Sequence, residues 1–190
     1  MNKVYIQDKK FDKLDLTEKA IDKGEYENCT FTNCNFSNSD LSNLNFANCQ
    51  FVNCNLSMVK FSKTVLQDIT FKDCKLLGVN FERCNEYLTA ICFENCVLNL
   101  SSFYKLKLKT AKFKNCSLHE VDFTETDLTM ALFENCDLSV ATFLRTILEK
   151  ADLRTAQNYS IDPETNRIKK AKFSANGLAG LLHKYDIIIE

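Results

Sequence analysis

The chain has 190 residues, of which 45% are hydrophobic, so it can build a sizeable core. Its formal net charge of −1 gives no global field that would attract nucleic acid or a strongly basic partner. The start, MNKVYIQDKKFDKLDL, lacks the apolar region of a signal peptide, and no apolar run approaches the roughly 18 residues of a membrane span. We therefore expect a soluble cytoplasmic protein without a membrane partner.

Residues 1–23 are charged and only weakly patterned. Val4, Tyr5 and Ile6 are typical of a short strand, and the residues after them form a ragged version of the repeat that follows. Stacked repeats expose unpaired edges and need terminal caps. We predict that residues 1–23 form an N-terminal cap built as a degenerate first coil.

A five-residue period begins at residue 24. Two series of large apolar residues mark the centres of the units, and a helix or an ordinary strand would not produce this spacing. The first series is Tyr26, Phe31, Phe36, Leu41, Phe46, Phe51, Leu56, Phe61, Leu66, Phe71, Leu76 and Phe81. The second series is Phe93, Leu98, Phe103, Leu108, Phe113, Leu118, Phe123, Leu128, Phe133, Leu138, Phe143, Leu148 and Leu153.

Small or slim residues stand two positions before most centres, and cysteines share this grid. Nine of the ten cysteines follow the five-residue spacing, and only Cys92 lies off it. A period shared with the core predicts free, buried cysteines that act as small hydrophobic residues. Disulfides or a metal site are the less favoured alternative.

The repeat units resemble those of pentapeptide repeat proteins. The family pattern is a small residue, then Asn or Asp, then Leu or Phe, as in Cys54-Asn55-Leu56, Val121-Asp122-Phe123 and Ala151-Asp152-Leu153. The resemblance covers residues 24–155. It implies an all-β solenoid, a right-handed quadrilateral β-helix in which four pentapeptides make one coil and residues twenty apart stack.

Columns of residues at twenty-residue spacing support the stacking independently of the family. Residues 95, 115 and 135 are all Asn, residues 94, 114 and 134 are Glu, Lys and Glu, and residues 105, 125 and 145 are Lys, Glu and Arg. Identical amides can form ladders, and opposite charges can pair between neighbouring strands. The sequence therefore predicts hydrogen-bonded and ion-paired columns along the rod.

The repeat slips once, because Phe81 and Phe93 are two residues further apart than a multiple of five. The slip falls within residues 83–91 and predicts a bulge or short loop. Interruptions of a solenoid can carry recognition elements, so Glu86 and Tyr87 are candidate partner contacts. A harmless two-residue insertion is the alternative.

Residues 156–190 are predicted to be a C-terminal cap and a dimerisation tail. The segment from Ser174 to Lys184 has leucines at helical spacing, with Ser174 as a plausible N-cap. A similar tail is the dimerisation module of family members that protect DNA gyrase, and a self-complementary end suits a two-fold axis. A simple cap is the alternative. The candidate dimerisation residues are Leu178, Leu181, Leu182, Ile187, Ile188 and Ile189.

Residue types for catalysis are scarce. The two histidines, His119 and His183, have no companion at a metal-ligand spacing, and there is no glycine-rich phosphate loop. A narrow packed coil leaves no cavity for a substrate. We expect no catalytic residues, no metal and no cofactor, and hence a protein that is not an enzyme.

Charge is distributed unevenly along the second series. Residues 105–114 form a basic band, whereas residues 115–144 contain no Lys or Arg. The acidic stretch supplies the remaining candidate partner contacts, either as a partial mimic of duplex DNA or as an ordinary charged face. These candidates are Glu120, Asp122, Glu125, Asp127, Glu134 and Asp137.

The capped coil, the single interruption and the apolar tail are similar to the layout of gyrase-protecting pentapeptide repeat proteins, of the quinolone resistance and microcin or albicidin immunity type. This resemblance implies a homodimer that binds and protects DNA gyrase or topoisomerase IV, without binding nucleic acid directly. The alternative is a scaffold or regulatory protein with an unrelated protein partner.

Overall fold

The computed structural model describes residues 4–85 and 90–188, and the strands in them pair in parallel in two sheets. The first sheet contains β1 (Val4–Gln7), β3 (Gly24–Glu27), β5 (Asn45–Ala47) and β7 (Val65–Gln67). The second contains β2 (Lys10–Asp12), β4 (Thr30–Thr32), β6 (Gln50–Val52), β8 (Thr70–Lys72), β9 (Cys92–Glu94), β10 (Lys112–Lys114), β11 (Leu132–Glu134), β12 (Asp152–Leu153) and β13 (Lys172–Phe173).

Successive coils pair with a register of twenty residues. Phe31 lies opposite Phe51 in the second sheet, and single bridges such as Asn35 to Asn55 and Asp40 to Lys60 form two further sides. Within one coil, the paired positions recur every five residues. A coil of twenty residues therefore has four faces. The protein is therefore a right-handed quadrilateral β-helix of about eight turns, as the resemblance implies.

The four faces are named here by the buried centres of their repeat units. Face 1 has Tyr26, Phe46, Leu66, Leu108, Leu128 and Leu148, and face 2 has Phe31, Phe51, Phe71, Phe93, Phe113, Phe133 and Leu153. Face 3 has Phe36, Leu56, Leu76, Leu98, Leu118 and Leu138, and face 4 has Leu41, Phe61, Phe81, Phe103, Phe123 and Phe143. Face 1 is thus opposite face 3.

Ladder pairing extends beyond residues 24–155 at both ends. Val4 pairs with Gly24, and Lys172 pairs with Asp152 one coil earlier. Backbone hydrogen bonds do not require the side-chain pattern, so a coil can continue where the repeat has degenerated.

The core consists of stacked rings on each aromatic face. The ring centroids of Phe113 and Phe133 are 4.9 Å apart at an interplanar angle of 4°, whereas Phe113 and Phe123 on adjoining faces meet edge to face at 83°. Offset stacks and edge contacts each contribute about 0.5–1.5 kcal/mol beyond the burial of the rings. The repeat period thus becomes a continuous aromatic core.

The small residues before each centre bond to the backbone of the preceding coil. Thr126 donates to the carbonyl of Phe103 at 2.8 Å, and Cys116 Sγ lies 3.5 Å from the carbonyl oxygen of Phe93. All ten cysteines are free; Cys92 is half-buried and the other nine are buried. The prediction of free, buried cysteines is confirmed.

Corners of the coil use a left-handed residue two positions after the centre. Many of these residues are Asn or Asp, such as Asn53 (φ 52°) and Asn95 (φ 53°), which tolerate this conformation. Later corners use less suitable types, including Thr110 (φ 61°) and Val140 (φ 58°). The solenoid therefore imposes the corner geometry even where the local residue opposes it.

A short helical tail follows the last coil. Ser174 accepts a hydrogen bond from the Gly177 amide at 3.1 Å, as expected of an N-cap, and α1 spans Ala179–Leu182 between two 3-10 turns. Leu181 packs against the core, and the Ile161 amide donates to the Gly180 carbonyl at 2.9 Å. Within the described residues, no helix has the length and apolar character needed to cross a membrane.

Candidate protein-interaction surfaces

The six acidic candidates do not share one face. Asp122 and Glu125 belong to face 4 and its corner, Asp127 lies on face 1, Glu134 on face 2, and Asp137 on face 3. Glu120 occupies the corner between faces 3 and 4. The acidic stretch therefore winds around the rod and does not form a strip along it.

Three of these carboxylates pair with basic residues of neighbouring coils. Glu125 accepts from Arg145 at 2.6 Å and lies 3.6 Å from Lys105 Nζ. Glu134 lies 3.8 Å from Lys114 Nζ. Asp127 also lies 3.5 Å from Lys109 Nζ. The hydrogen bond from Arg145 is the largest of the effects that lower the pKa of Glu125. The columns of alternating charge predicted from the sequence are present.

The other three acids contact uncharged groups or a histidine. Glu120 lies 3.2 Å from His119 Nδ1, and Asp122 accepts from the Thr124 amide at 2.8 Å. Asp137 accepts from Asn158 Nδ2 at 2.8 Å, and this bond is the main reason that its pKa is lowered. Of the six candidates, these three acids form no described ion pair with a Lys or Arg.

The amide columns form hydrogen-bonded ladders. Asn135 donates to Asn115 at 3.2 Å, Asn115 donates to Asn95 at 3.0 Å, and Asn95 donates to Asp73 at 2.9 Å. The ladder joins four coils across the slip, because Asp73 precedes it and Asn95 follows it. Face 2 is therefore continuous despite the insertion.

The slip changes the register from twenty to twenty-two residues, since Thr70 pairs with Cys92. The Asn85 amide still donates to the Thr64 carbonyl at 2.9 Å, and Ala90 already has the left-handed φ of a corner (46°). The change of register therefore arises between Asn85 and Ala90. The candidates Glu86 and Tyr87 lie outside the described residues.

The tail candidates fall into two groups. Leu181 and Leu182 are half-buried, and Leu181 packs against the core, so Leu181 covers the last coil. Leu178, Ile187 and Ile188 have exposed fractions of 49%, 56% and 90%. Ile189 lies outside the described residues. The two alternatives for the tail, cap and dimer contact, therefore fall on different residues.

A cleft of 530 Å³ separates the last coil from the tail, in contrast to the expectation of a rod without cavities. It is lined by residues 154–159 and by Ser174, Asn176, Gly177, Ala179 and Gly180. Arg154 donates to Asp152 at 2.7 Å. The expectation rested on the packed coil and overlooked the space that a separate tail leaves. No cluster of metal-ligating residues occurs in residues 4–85 and 90–188.

Comparisons with known proteins define the family. The family model described as the pentapeptide repeat region matches residues 24–86, 44–123 and 86–180. A trypsin-treated variant of QnrB1, a plasmid-mediated fluoroquinolone resistance protein, is similar in structure with a TM-score of 0.57 and 17% identity, over 99% of this chain and 98% of that one. HetL, a pentapeptide repeat protein involved in heterocyst differentiation regulation in Nostoc sp. strain PCC 7120, gives a TM-score of 0.39 and 17% identity over 88% and 86% of the two chains. No curated protein sequence is significantly similar. The chain belongs to the pentapeptide repeat family.

Proposed function

We propose that this chain is a non-enzymatic binding protein whose partner is a bacterial type II topoisomerase, DNA gyrase or topoisomerase IV, which it protects from a drug or toxin. The observation that carries the proposal is the end-to-end structural similarity to QnrB1, which includes the coil and the tail. The tail and the single interruption, both present here, also match the layout of the gyrase-protecting members that the sequence resembles.

The charge arrangement argues for protein contact by a local patch and against partial DNA mimicry. A duplex presents one charge per roughly 1.7 Å of its axis along a continuous backbone. Here the acids wind around four faces, and Glu125, Asp127 and Glu134 are offset by basic residues. Glu120, Asp122 and Asp137 on faces 3 and 4 remain the acidic contacts that we propose.

A supercoiling assay tests the proposal. Gyrase inhibited by a fluoroquinolone should recover activity when micromolar wild-type protein is added. The variant Glu120→Gln/Asp122→Asn should protect less well, whereas Glu125→Gln/Glu134→Gln, which alters paired acids, should protect nearly as well as wild type. Absence of both protection and binding with gyrase and with topoisomerase IV would refute the proposal.

The second candidate function is a scaffold or regulatory protein with an unrelated protein partner. The pairing of charges between coils favours it, because a face whose charges are satisfied internally needs no partner to neutralise them. The same assay separates the two functions, since a scaffold of this kind would leave gyrase inhibited.

A further inference from the structure

We propose that the corner between faces 4 and 1, beside the register slip, binds an acidic segment of a protein partner. The corner presents four cations, Lys63, Arg83, Lys105 and Lys107, which together we call the basic corner. The proposal concerns a different surface from the acidic patch on faces 3 and 4, and it does not depend on which protein is the partner.

Three of the four cations stack in successive coils. The Lys63 amide donates to the Arg83 carbonyl at 2.7 Å, and the bridge between Asn80 and Ser102 places Lys105 in the next coil. Coils are separated by about 4.8 Å, so the backbone positions of these like charges follow one another at that interval. Lys107 follows Lys105 on face 1.

Two cations of this column, Lys63 and Arg83, lack the pairing between coils that several other charged residues show, whereas Lys105 pairs with Glu125 at 3.6 Å. Lys72 pairs with Glu94 at 3.2 Å, and Arg145 pairs with Glu125 at 2.6 Å. Lys63, Arg83 and Lys107 are exposed and form no described ion pair, and stacked like charges are destabilising. An acidic ligand would relieve the repulsion that the solenoid leaves uncompensated here.

A depression of about 240 Å³ lies beside Lys105 and Lys107 of the basic corner. Its lining combines Tyr104 and Leu106 with the cations Lys105 and Lys107 and with one acid, Glu82. Leu106 occupies an inward position of the repeat unit, and Thr64 and Thr126 hold the same position in other coils on face 1. The larger side chain supplies an apolar floor, so the depression suits an apolar residue flanked by carboxylates.

The backbone at this corner also departs from the regular turn. Lys63 and Lys105 have the left-handed φ of ordinary corners, 58° and 61°. Between them, Phe81–Arg83 forms a 3-10 turn in which the Asn80 side chain accepts from the Glu82 amide at 3.1 Å. The irregular turn and the unpaired cations Lys63 and Arg83 therefore coincide at one place on the rod.

An acidic polypeptide fits this surface better than a nucleic acid does. A phosphate backbone needs a track of cations, and this column ends at Glu125 and Asp127 in the next coil. The opposite end is Asn43 in the coil before Lys63. A segment with two or three carboxylates around one apolar side chain matches the length and the composition of the site.

Fluorescence anisotropy with a labelled peptide tests the proposal. The probe is a twelve-residue peptide in which Glu and Asp flank one central Leu. We expect micromolar affinity that weakens with salt, and a loss of about tenfold or more in Lys63→Glu/Arg83→Glu/Lys107→Glu. The neutral variant Lys63→Gln/Lys107→Gln should lose less affinity for the peptide. It replaces the triple variant in the test if the triple variant does not fold.

The matched control is Lys150→Glu/Lys169→Glu/Lys170→Glu, which makes the same charge change at exposed lysines without a described ion pair. Its affinity should change by less than about twofold, because its lysines lie at the far end of the rod. An equal loss in the control, no binding to wild type, or tighter binding of duplex DNA than of the peptide would overturn the proposal. Failure of the gyrase assay would leave this result unaffected, so the two proposals fail separately.

Discussion

Arg145 donates from Nε and Nη2 to the same carboxylate oxygen of Glu125, one coil earlier, at 3.2 and 2.6 Å. Lys105 approaches Glu125 from the other side at 3.6 Å, so one acid links three coils. A similar bond joins Arg167 to Glu149 at 2.6 Å. Ion pairs that join neighbouring coils therefore recur along the rod.

Acid should destabilise the protein through these carboxylates. Hydrogen bonds from Arg145 and Arg154 are the main causes that lower the pKa values of Glu125 and Asp152. Because the unfolded chain has ordinary carboxyl pKa values of about 4, it binds more protons than the folded chain below roughly pH 5. The stability contribution is present above that range and is lost as pH falls through the folded pKa values. Thermal unfolding measured from pH 7 down to pH 2 should show this fall in Tm.

Variants that lack these particular carboxylates test whether they cause the fall in Tm at low pH. Asp152→Asn removes the pairs with Arg154 and Lys172, which are exposed, so its cost at pH 7 should be below about 1 kcal/mol. The acid-induced fall in Tm should be smaller in the double variant Glu125→Gln/Asp152→Asn. Curves parallel to wild type would show that other groups control the acid response.

The corner at Val140 should be a site of local strain. Val140 has a φ of 58° and is 70% exposed, and a left-handed conformation costs an ordinary L-residue about 1–2 kcal/mol. Val140→Asn should therefore raise the free energy of unfolding by about 1 kcal/mol in urea titrations, since Asn tolerates this region.

The reverse change in the same column is the control for Val140. Asn38 holds the equivalent corner position five coils earlier with the same φ of 58°. Asn38→Val should lower the free energy of unfolding by a similar amount. If neither variant changes the free energy of unfolding, the solenoid compensates for strain at its corners. The residue type at a corner then does not affect stability.

The repeat made the fold predictable, because a period of five assigns the inward positions from the residue pattern alone. The columns at twenty residues were equally readable, since Asn95, Asn115 and Asn135 differ only by the length of one coil. The candidate contacts were harder to predict from the sequence, because acids that are close in sequence, such as Asp122 and Asp127, lie on different faces of the rod. The basic corner was missed for the opposite reason. Lys63 and Arg83 lie far from Lys105 in sequence, and the slip shifts the register between them.

The thiols should report whether the coils open. Burial raises the pKa of Cys49 to about 11 and of Cys84 to about 12, so neither forms a thiolate readily at pH 8. Native protein should react with a thiol reagent such as DTNB only at the half-buried Cys92, and all ten thiols should react in urea. Cys92→Ser should abolish the native reaction. Rapid reaction of several thiols in Cys92→Ser would instead show local opening of the coil.

The tail offers a test that separates capping from dimerisation. Ile188 is 90% exposed, whereas Leu181 packs against the core. In the predicted tail-to-tail dimer, Ile188→Asp should weaken self-association without changing Tm, because the charge would enter an apolar contact in the dimer but would meet only water in the monomer. Leu181→Asp should lower Tm, because it places a charge against the last coil.

Sedimentation velocity over a range of protein concentrations measures the effect of Ile188→Asp, and Val140→Asp is the matched control. Both variants replace an exposed apolar residue with the same charge, but Val140 lies on the side of the rod. Wild type and Val140→Asp should associate as concentration rises, while Ile188→Asp should remain a monomer. If Ile188→Asp sediments like wild type at every concentration, the exposed isoleucines do not form an interface. The tail then acts through Leu181 alone, as the cover of the C-terminal coil.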